Sequence, residues 1–212
     1  MKKLLVLWMT WIAIGGTSGG AATAHAADAP AVLVFGDSIS AGFGLGDVAD
    51  GWVGLLRAKL KGAGYDYAVV NASISGETTA GGLARLPRAL ALHHPAVVVI
   101  ELGGNDGLRA LPVAQMRANL GRMVDLARAA GARVMLAGIR IPPNYGPEYA
   151  AQFFATFASV AQEKKVALVP FLLDGIALDP KLMQADGIHP NELGQPRLLE
   201  NVWPTLQGLL RH

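Results

Sequence analysis

The chain has 212 residues, of which 52% are hydrophobic, 16% are charged and none is cysteine, so it has the size and the apolar content of a single domain with one core. The lack of cysteine excludes disulfides, a thiolate nucleophile and a lipoprotein anchor. The formal net charge is only +2, and without a tract of Lys and Arg interleaved with aromatic residues the sequence excludes nucleic acid as a partner.

The first 26 residues have the layout of a secretory signal peptide. Two lysines are followed by an apolar run, Leu4 to Ile14, and then by small residues that end in Ala24-His25-Ala26, an A-x-A cleavage pattern. The run is shorter than the ~20 residues that cross a bilayer. We therefore predict cleavage near Ala26, a periplasmic or secreted domain over 27–212, and no stable membrane anchor. The alternatives are an uncleaved anchor and a buried strand.

The remaining sequence alternates short β-branched runs with longer amphipathic segments. Continuous apolar runs of this kind are typical of strands in a parallel sheet that is covered on both faces. They predict strands over 31–35, 67–71, 96–102, 133–138 and 166–171. Helical periodicity predicts helices over 52–61, 79–92, 113–130, 148–164 and about 192–210. This repeated order predicts one three-layer α/β/α domain with right-handed crossovers.

Candidate chemical groups follow the predicted strands, which is where open parallel sheets bind ligands. The first strand ends in Gly36-Asp37-Ser38, whose serine can expose its hydroxyl on the turn or can simply cap a helix. After the second strand, Gly76 leaves room for the backbone to approach a ligand, although the hydroxyl groups beside it could equally be helix caps. The third strand leads to Asn105, whose amide can stabilise an oxyanion or only its own turn.

Asp186 and His189 form a further candidate pair near the C-terminus. A carboxylate three residues before a histidine can accept a hydrogen bond from Nδ1, which leaves Nε2 free to take a proton from a serine. Alone, such a pair could also be structural or part of a metal site. No metal or cofactor is predicted, because His93-His94 lack a third ligand and the glycine-rich loop 42–46 lacks dinucleotide-binding spacing. We interpret that loop as a flexible rim.

Taken in chain order, these segments resemble the four sequence blocks of the SGNH/GDSL hydrolases. The blocks are GDSIS, a glycine after the second strand, GGND and DGIHP. Within the family, the resemblance is closest to the bacterial periplasmic thioesterase/protease/lysophospholipase group and the related arylesterases. The stretches that carry this closer resemblance are NASISGET, GLARLP, ELGGNDGLR, RIPPNYG and DGIHPN. The resemblance implies a flavodoxin-like α/β/α sandwich with a five-stranded parallel sheet in the order 2-1-3-4-5, with strands one and three adjacent.

The resemblance also implies a role for each block. Ser38 would be the nucleophile, His189 the general base and acid, and Asp186 the group that orients His189. The oxyanion hole would consist of the backbone N–H groups of Ser38 and Gly76 and the side-chain amide of Asn105. The implied substrates are small acyl esters, thioesters or lysophospholipids, cleaved without a cofactor or metal by an enzyme that we expect to be a monomer.

Three apolar or aromatic residues are candidates for contact with the substrate. Leu108, Tyr145 and Ile188 are candidates for contact with an acyl chain, although each could equally pack between loops. A second enzymatic interpretation is a carbohydrate or peptidoglycan O-acetylesterase of the same fold, which would have a small polar site. A third is a binding module without activity, but such a module would usually have lost one of the catalytic side chains, and all four are present.

Overall fold

The fold alternates strands and helices along the part of the chain that the structure describes. This structure, a computed structural model, describes residues 29–212, so the predicted leader lies outside the described residues. The strands are β1 (Ala31–Gly36), β2 (Ala68–Asn71), β3 (Val97–Glu101), β4 (Arg133–Ala137) and β5 (Ala167–Val169). The helices are α1 (Ser38–Ala41), α2 (Trp52–Gly62), α3 (Thr79–His93), α4 (Gly104–Leu108), α5 (Val113–Ala129), α6 (Pro147–Lys164) and α7 (Gln195–Gln207). Three single 3₁₀ turns lie at Val48–Asp50, Pro143–Tyr145 and Glu192–Gly194.

The sheet is parallel throughout, and its strand order is β2-β1-β3-β4-β5. This confirms the predicted α/β class and strand order. The chain moves one way from β1 to β2 and the other way from β3 to β5, so right-handed crossovers place their helices on opposite faces. Accordingly, α3, α5 and α6 pack together in one layer, whereas α2 and α7 pack against each other in the second. The reversal between β1 and β3 opens a crevice at the carboxyl ends of these strands.

Sequence periodicity predicted the long elements well and failed for β2 and for the shortest helices. The segment predicted as a buried strand over 67–71 forms β2, whose residues are half-buried or exposed because it lies at the edge of the sheet. The last predicted helix begins as a 3₁₀ turn before α7. Periodicity missed α1 and α4, because one turn of helix is too short to show a repeat.

The core lies between the central strands and the two helical layers. Every residue of β1 and β3 is buried, which explains their continuous apolar sequence. Trp52 and Leu56 of α2 cover one face, and Phe153 and Phe157 of α6 help to cover the other. Among residues 29–212, no helix has both the length and the hydrophobicity needed to cross a membrane.

Candidate active site

Ser38 is the first residue of α1 and follows β1 after a single turn residue. That residue, Asp37, caps the helix, because its Oδ1 accepts a hydrogen bond of 3.1 Å from the backbone N–H of Ile39. Gly36 pairs with Glu101 in the sheet, and a methyl group built on Gly36 would lie 2.5 Å from a carboxylate oxygen of Glu101. The glycine therefore leaves room for the Glu101 carboxylate beneath the serine turn.

His189 lies between Ser38 and Asp186. Its Nε2 is 2.8 Å from Ser38 Oγ, and its Nδ1 is 2.6 Å from Asp186 Oδ2. The second carboxylate oxygen of Asp186 accepts hydrogen bonds from the backbone N–H groups of Ile188 and His189. Gly187 makes this tight loop possible through its positive φ of 66°. A serine from one end of the chain and an Asp-His pair from the other thus form a continuous hydrogen-bonded row.

These hydrogen bonds keep Asp186 ionised. Partial burial alone would raise the pKa of its carboxyl group, but the hydrogen bonds from the His189 ring and from the N–H groups of His189 and Ile188 lower that pKa to about 2. A carboxylate that stays negative can hold the imidazole in the tautomer that presents Nε2 to the serine. The geometry therefore permits proton transfer from Ser38 to His189.

Phe43 adds an aromatic contact that sequence reasoning did not identify. Its ring centroid lies 4.7 Å from that of His189, on the side of the glycine-rich loop. Gln184 Nε2 donates a hydrogen bond of 2.7 Å to the Phe43 carbonyl, and the Gly46 N–H donates one to Glu192. The loop that we interpreted as a flexible rim is thus held from two sides and packs on the His189 imidazole.

Asn105 lies in α4, directly beyond β3, and shares a cavity wall with Ser38. Its Nδ2 donates a hydrogen bond of 3.2 Å to Asp37 Oδ2, which fixes the orientation of the amide. Gly76 lies in the segment after β2 with a φ of 80°, and its carbonyl accepts a hydrogen bond from Arg109. The N–H of Ile74 ties this segment to the Gly36 carbonyl. The carboxyl ends of β1, β2 and β3 therefore carry the three predicted oxyanion donors.

Two buried carboxyl groups lie beneath the serine turn. Glu101 is 0% exposed, and its Oε2 accepts hydrogen bonds from Ser40 Oγ at 2.6 Å and from the Asp37 N–H at 3.3 Å. Burial raises the pKa of Glu101 well above its ordinary value, and the nearby Asp37 charge adds to this effect. Burial also raises the pKa of Asp37, to about 6, although hydrogen bonds from Ile39 and Asn105 oppose the shift.

Sequence reasoning assigned no role to either acidic residue of the β3 block. The available signal for Glu101 was a carboxylate at the end of an otherwise apolar strand. For Asp106, the structure provides a clear role, because its carboxylate accepts hydrogen bonds from the Thr79 N–H at 2.8 Å and from Thr79 Oγ1 at 2.5 Å. Asn119 in turn donates to Thr79 Oγ1. This buried network fixes α4, and with it Asn105, to the start of α3.

An apolar cavity of about 350 Å³ opens beside Ser38, which is within the usual size range of small-molecule sites. Among its lining residues, those with large apolar side chains are Ile39, Leu108, Ile139, Ile141, Phe171, Leu173, Leu178, Met183 and Ile188. Leu108 and Ile188, two of the three candidates for contact with an acyl chain, line this cavity. Tyr145 is not among the lining residues. Its hydroxyl donates a hydrogen bond of 2.9 Å to the Leu108 carbonyl instead.

Two further histidines of the described residues lie at the end of α3. His93 is the last residue of this helix, and His94 caps it in the left-handed conformation, with a φ of 40°. In the described range, 29–212, no group of three or more His, Asp or Glu side chains is arranged to hold a metal ion.

Comparisons with known proteins identify the family of the chain. The model of the GDSL-like lipase/acylhydrolase family matches residues 34–197. The chain is 60% identical over 184 residues to esterase TesA of Pseudomonas aeruginosa, covering 87% of this chain and 91% of that protein. It is 43% identical over 190 residues to thioesterase 1/protease 1/lysophospholipase L1 of Escherichia coli, covering 90% and 89%.

A solved structure extends the similarity to three dimensions. The psychrotrophic esterase EstA from Pseudoalteromonas, in a form inhibited by monoethylphosphonate, superposes with a TM-score of 0.80 at 40% identity, covering 84% of this chain and 97% of that one. The family match includes the serine turn, Asn105 and the Asp-His pair. The chain belongs to the GDSL-like lipase/acylhydrolase family.

Proposed function

We propose that this carboxylic ester hydrolase cleaves esters and thioesters of medium or long acyl chains through an acyl-enzyme on Ser38. One observation carries the proposal. Ser38 Oγ lies 2.8 Å from His189 Nε2 and also lies at the wall of an apolar cavity of about 350 Å³. A serine with a base in hydrogen-bond reach can be activated as a nucleophile, and the cavity has the size and lining to hold an acyl chain.

The reaction would proceed in two acyl-transfer steps. In the first, His189 Nε2 takes the proton of Ser38 while Oγ forms a bond to the acyl carbonyl carbon. The imidazolium, stabilised by Asp186, then gives this proton to the departing alcohol or thiol as its bond to the carbonyl carbon breaks. In the second step, water attacks the acyl carbonyl carbon and loses a proton to His189, which gives a proton to Ser38 Oγ as the bond between Oγ and the carbonyl carbon breaks and the acid leaves. Because these side chains supply the nucleophile and the base, the proposed reaction needs no cofactor or metal.

The developing oxyanion would be held by three donors. These are the backbone N–H of Ser38, the backbone N–H of Gly76 and the side-chain amide of Asn105. Such donors act mainly by stabilising the transition state, because the negative charge on the oxygen develops there. Asp37 supports the third donor, since it accepts one hydrogen bond from Asn105 Nδ2 and leaves the second amide hydrogen for the substrate.

The cavity favours a longer acyl group over acetyl. Its walls are predominantly apolar, and Leu108 and Ile188 would contact the acyl chain. Tyr145 would act indirectly, by holding the Leu108 backbone through its hydroxyl. A carbohydrate O-acetylesterase would need polar groups around a small acyl site, so the alternative interpretation is not favoured. Relatives named esterase, thioesterase and lysophospholipase support ester, thioester and lysophospholipid substrates for this chain.

We further propose that the enzyme is exported and acts as a monomer in the periplasm or outside the cell. The support for export is the A-x-A pattern that ends at Ala26. Expression of the full chain in a bacterial host, followed by mass spectrometry of the purified product, would test it. A product that begins at Ala27 is expected, whereas a product that retains the leader would contradict the proposal. Light scattering of the same sample would measure the molar mass in solution and so test whether the protein is a monomer.

The catalytic proposal is tested by hydrolysis of p-nitrophenyl esters from acetate to palmitate, with the Ser38→Ala variant alongside. We expect an optimum at medium or long chains that disappears in the variant. An optimum at acetate that still requires Ser38 would favour the deacetylase. Turnover that survives the substitution would refute Ser38 as the nucleophile.

A further inference from the structure

Among the described residues, 29–212, Arg140 is the single cation that lines the cavity beside Ser38. It follows β4 at the carboxyl edge of the sheet, and it is exposed. The other charged residue of this wall, Asp37, is buried beneath the serine turn, where it accepts hydrogen bonds from Ile39 and Asn105. Within the described part of the chain, Arg140 is therefore the only lining residue whose charge is available to a ligand in the cavity.

Two aromatic rings hold the Arg140 guanidinium in place. Its central carbon lies 4.1 Å from the ring centroid of Phe154 and 4.9 Å from that of Phe171. A guanidinium favours such contacts because it is planar and weakly hydrated. The contacts restrict the orientation of an otherwise long and flexible side chain. A ligand that binds there would therefore cost less side-chain entropy than one that binds an unrestrained arginine.

The N–H donors of Arg140 have no acceptor within the described range, 29–212. Neither phenyl ring carries an oxygen or nitrogen atom, and the side chain forms no hydrogen bond or salt bridge with any described residue. By contrast, the guanidinium groups of Arg85 and Arg117 bind carboxylates at 2.6 Å. A guanidinium that is fixed in place but has no partner can form paired hydrogen bonds with a carboxylate or a phosphate.

Nearby carboxylates limit where an anion can bind. Asp174 and Asp179 line a second cavity, which shares Arg140 and Phe171 with the first. Neither carboxylate lines the cavity beside Ser38. An anion would therefore be attracted on the Ser38 side of the guanidinium and repelled on the other side.

We propose that Arg140 binds one anionic group, a carboxylate or a phosphate, carried by the ester that reacts at Ser38. The enzyme would then select anionic esters over neutral esters of equal chain length. This inference rests on the proposed function, because it assumes that the substrate occupies the same cavity. The anion could belong to the acyl chain or to the leaving group, and the two arms of the experiment below distinguish these sources.

The test measures ligand binding to the Ser38→Ala protein by calorimetry, so that it does not depend on turnover. One arm compares methyl hexanoate with monomethyl adipate, which adds a carboxylate at the end of the acyl chain. The other compares 1-octanoylglycerol with 1-octanoylglycerol 3-phosphate, which adds the anion to the leaving group. Each pair is measured with Arg140 intact, with Arg140→Gln and with Arg140→Lys. Arg88→Gln is the matched control, because Arg88 is an exposed arginine of α3 outside the cavity wall.

We expect the anionic member of at least one pair to bind tenfold or more tightly than its neutral partner. Arg140→Gln should abolish this preference, Arg140→Lys should keep part of it, and Arg88→Gln should keep all of it. The same affinity for both members in both arms, or a preference that survives Arg140→Gln, would overturn the inference. An equal loss of affinity for the neutral member in Arg140→Gln would also overturn it, since that result would mean that Arg140 acts by packing and not by its charge. The proposed function fails separately, if wild-type protein leaves neutral p-nitrophenyl esters intact.

Discussion

Asn105 and Asp37, which are 68 residues apart in the chain, are joined by a hydrogen bond of 3.2 Å from Nδ2 to Oδ2. The bond links the residue before Ser38, the proposed nucleophile, to the proposed oxyanion donor. It depends on the adjacency of β1 and β3, whose carboxyl ends carry these two residues. One carboxylate thus serves two functions, because Oδ1 caps the helix that begins at Ser38 and Oδ2 orients the donor.

Replacing Asp37 with Asn should separate these two functions. The new amide oxygen can still cap α1, since Asn is as good a cap as Asp. The new NH₂ group, however, would face Asn105 Nδ2, and two donors cannot bond, so the Asn105 amide should turn. We expect kcat to fall by about tenfold or more, with little change in KM and with no decrease in the thermal melting temperature. A kcat equal to wild type would show that Asp37 does not position the donor.

Removing the donor itself should have a larger effect. Asn105→Ala is expected to lower kcat by about 10²–10³, the usual result of losing one oxyanion donor, while folding is retained. Steady-state kinetics on a p-nitrophenyl ester, with circular dichroism as the folding control, would measure both. Turnover close to that of wild type would remove Asn105 from the oxyanion hole.

The pH dependence of activity should have an acidic limb. His189 can accept the Ser38 proton only as a neutral imidazole, so kcat/KM should fall under acidic conditions. Asp37 also titrates under acidic conditions, because burial raises its pKa to about 6. The profile of the Asp37→Asn variant separates the two groups, since an acidic limb that persists in the variant does not come from Asp37. A wild-type profile that stays flat under acidic conditions while the protein remains folded would contradict the assignment of His189 as the base.

Stability should depend on pH through Asp37, Glu101 and Asp186. Burial raises the pKa of Glu101 well above its ordinary value, so this group adds to the decrease in stability that Asp37 produces as pH rises. The pKa of Asp37 is raised from 3.8 to about 6, so between these values the folded state keeps a proton that the unfolded state has lost. The free energy of unfolding should therefore decrease by about 2–3 kcal/mol as pH rises from 4 to 6. Asp186 has the opposite sign, because its pKa is lowered to about 2. The stabilisation of the folded state by ionised Asp186 is complete above pH 4 and is lost as pH falls towards 2.

Urea titrations at pH 4, 5, 6 and 7 would measure the expected decrease in the free energy of unfolding between pH 4 and 6. The Asp37→Asn variant is the control, since it cannot titrate at this position, and its free energy of unfolding should vary less over the same range. Wild type and variant with parallel pH dependence would show that the Asp37 carboxyl group is not the source.

Gly36→Ala should destabilise the fold at the serine turn. The added methyl group would lie 2.5 Å from Glu101 Oε2 and 2.8 Å from Ser40 Oγ, and overpacking of a buried site costs about 1–3 kcal/mol. Gly62→Ala is the matched control, because nothing lies within 4 Å of the added methyl group at the end of α2. The same urea titration compares the two, and equal stabilities would contradict the close contact of Gly36 with the side chains of Glu101 and Ser40.

Local patterns in the sequence were sufficient for most of the fold. Apolar runs and helical periodicity predicted the five strands and the five long helices, and the resemblance to a family implied the strand order that the structure confirms. These signals are readable because strand and helix periods appear within a few residues. The burial of β2 was predicted wrongly, because an apolar run does not reveal whether a strand lies at an edge.

By itself, the sequence determined the chemical inventory of the site: a serine on a turn, an Asp-His pair and an Asn after Gly-Gly, in the order of a known family. Only the tertiary structure decided how other residues surround them, including Phe43 against His189, Glu101 beneath Ser40 and Arg140 between two phenyl rings. Such contacts join separate segments of the chain and carry no local period or motif. They depend on how side chains pack once the strands are adjacent, which no short stretch of sequence records.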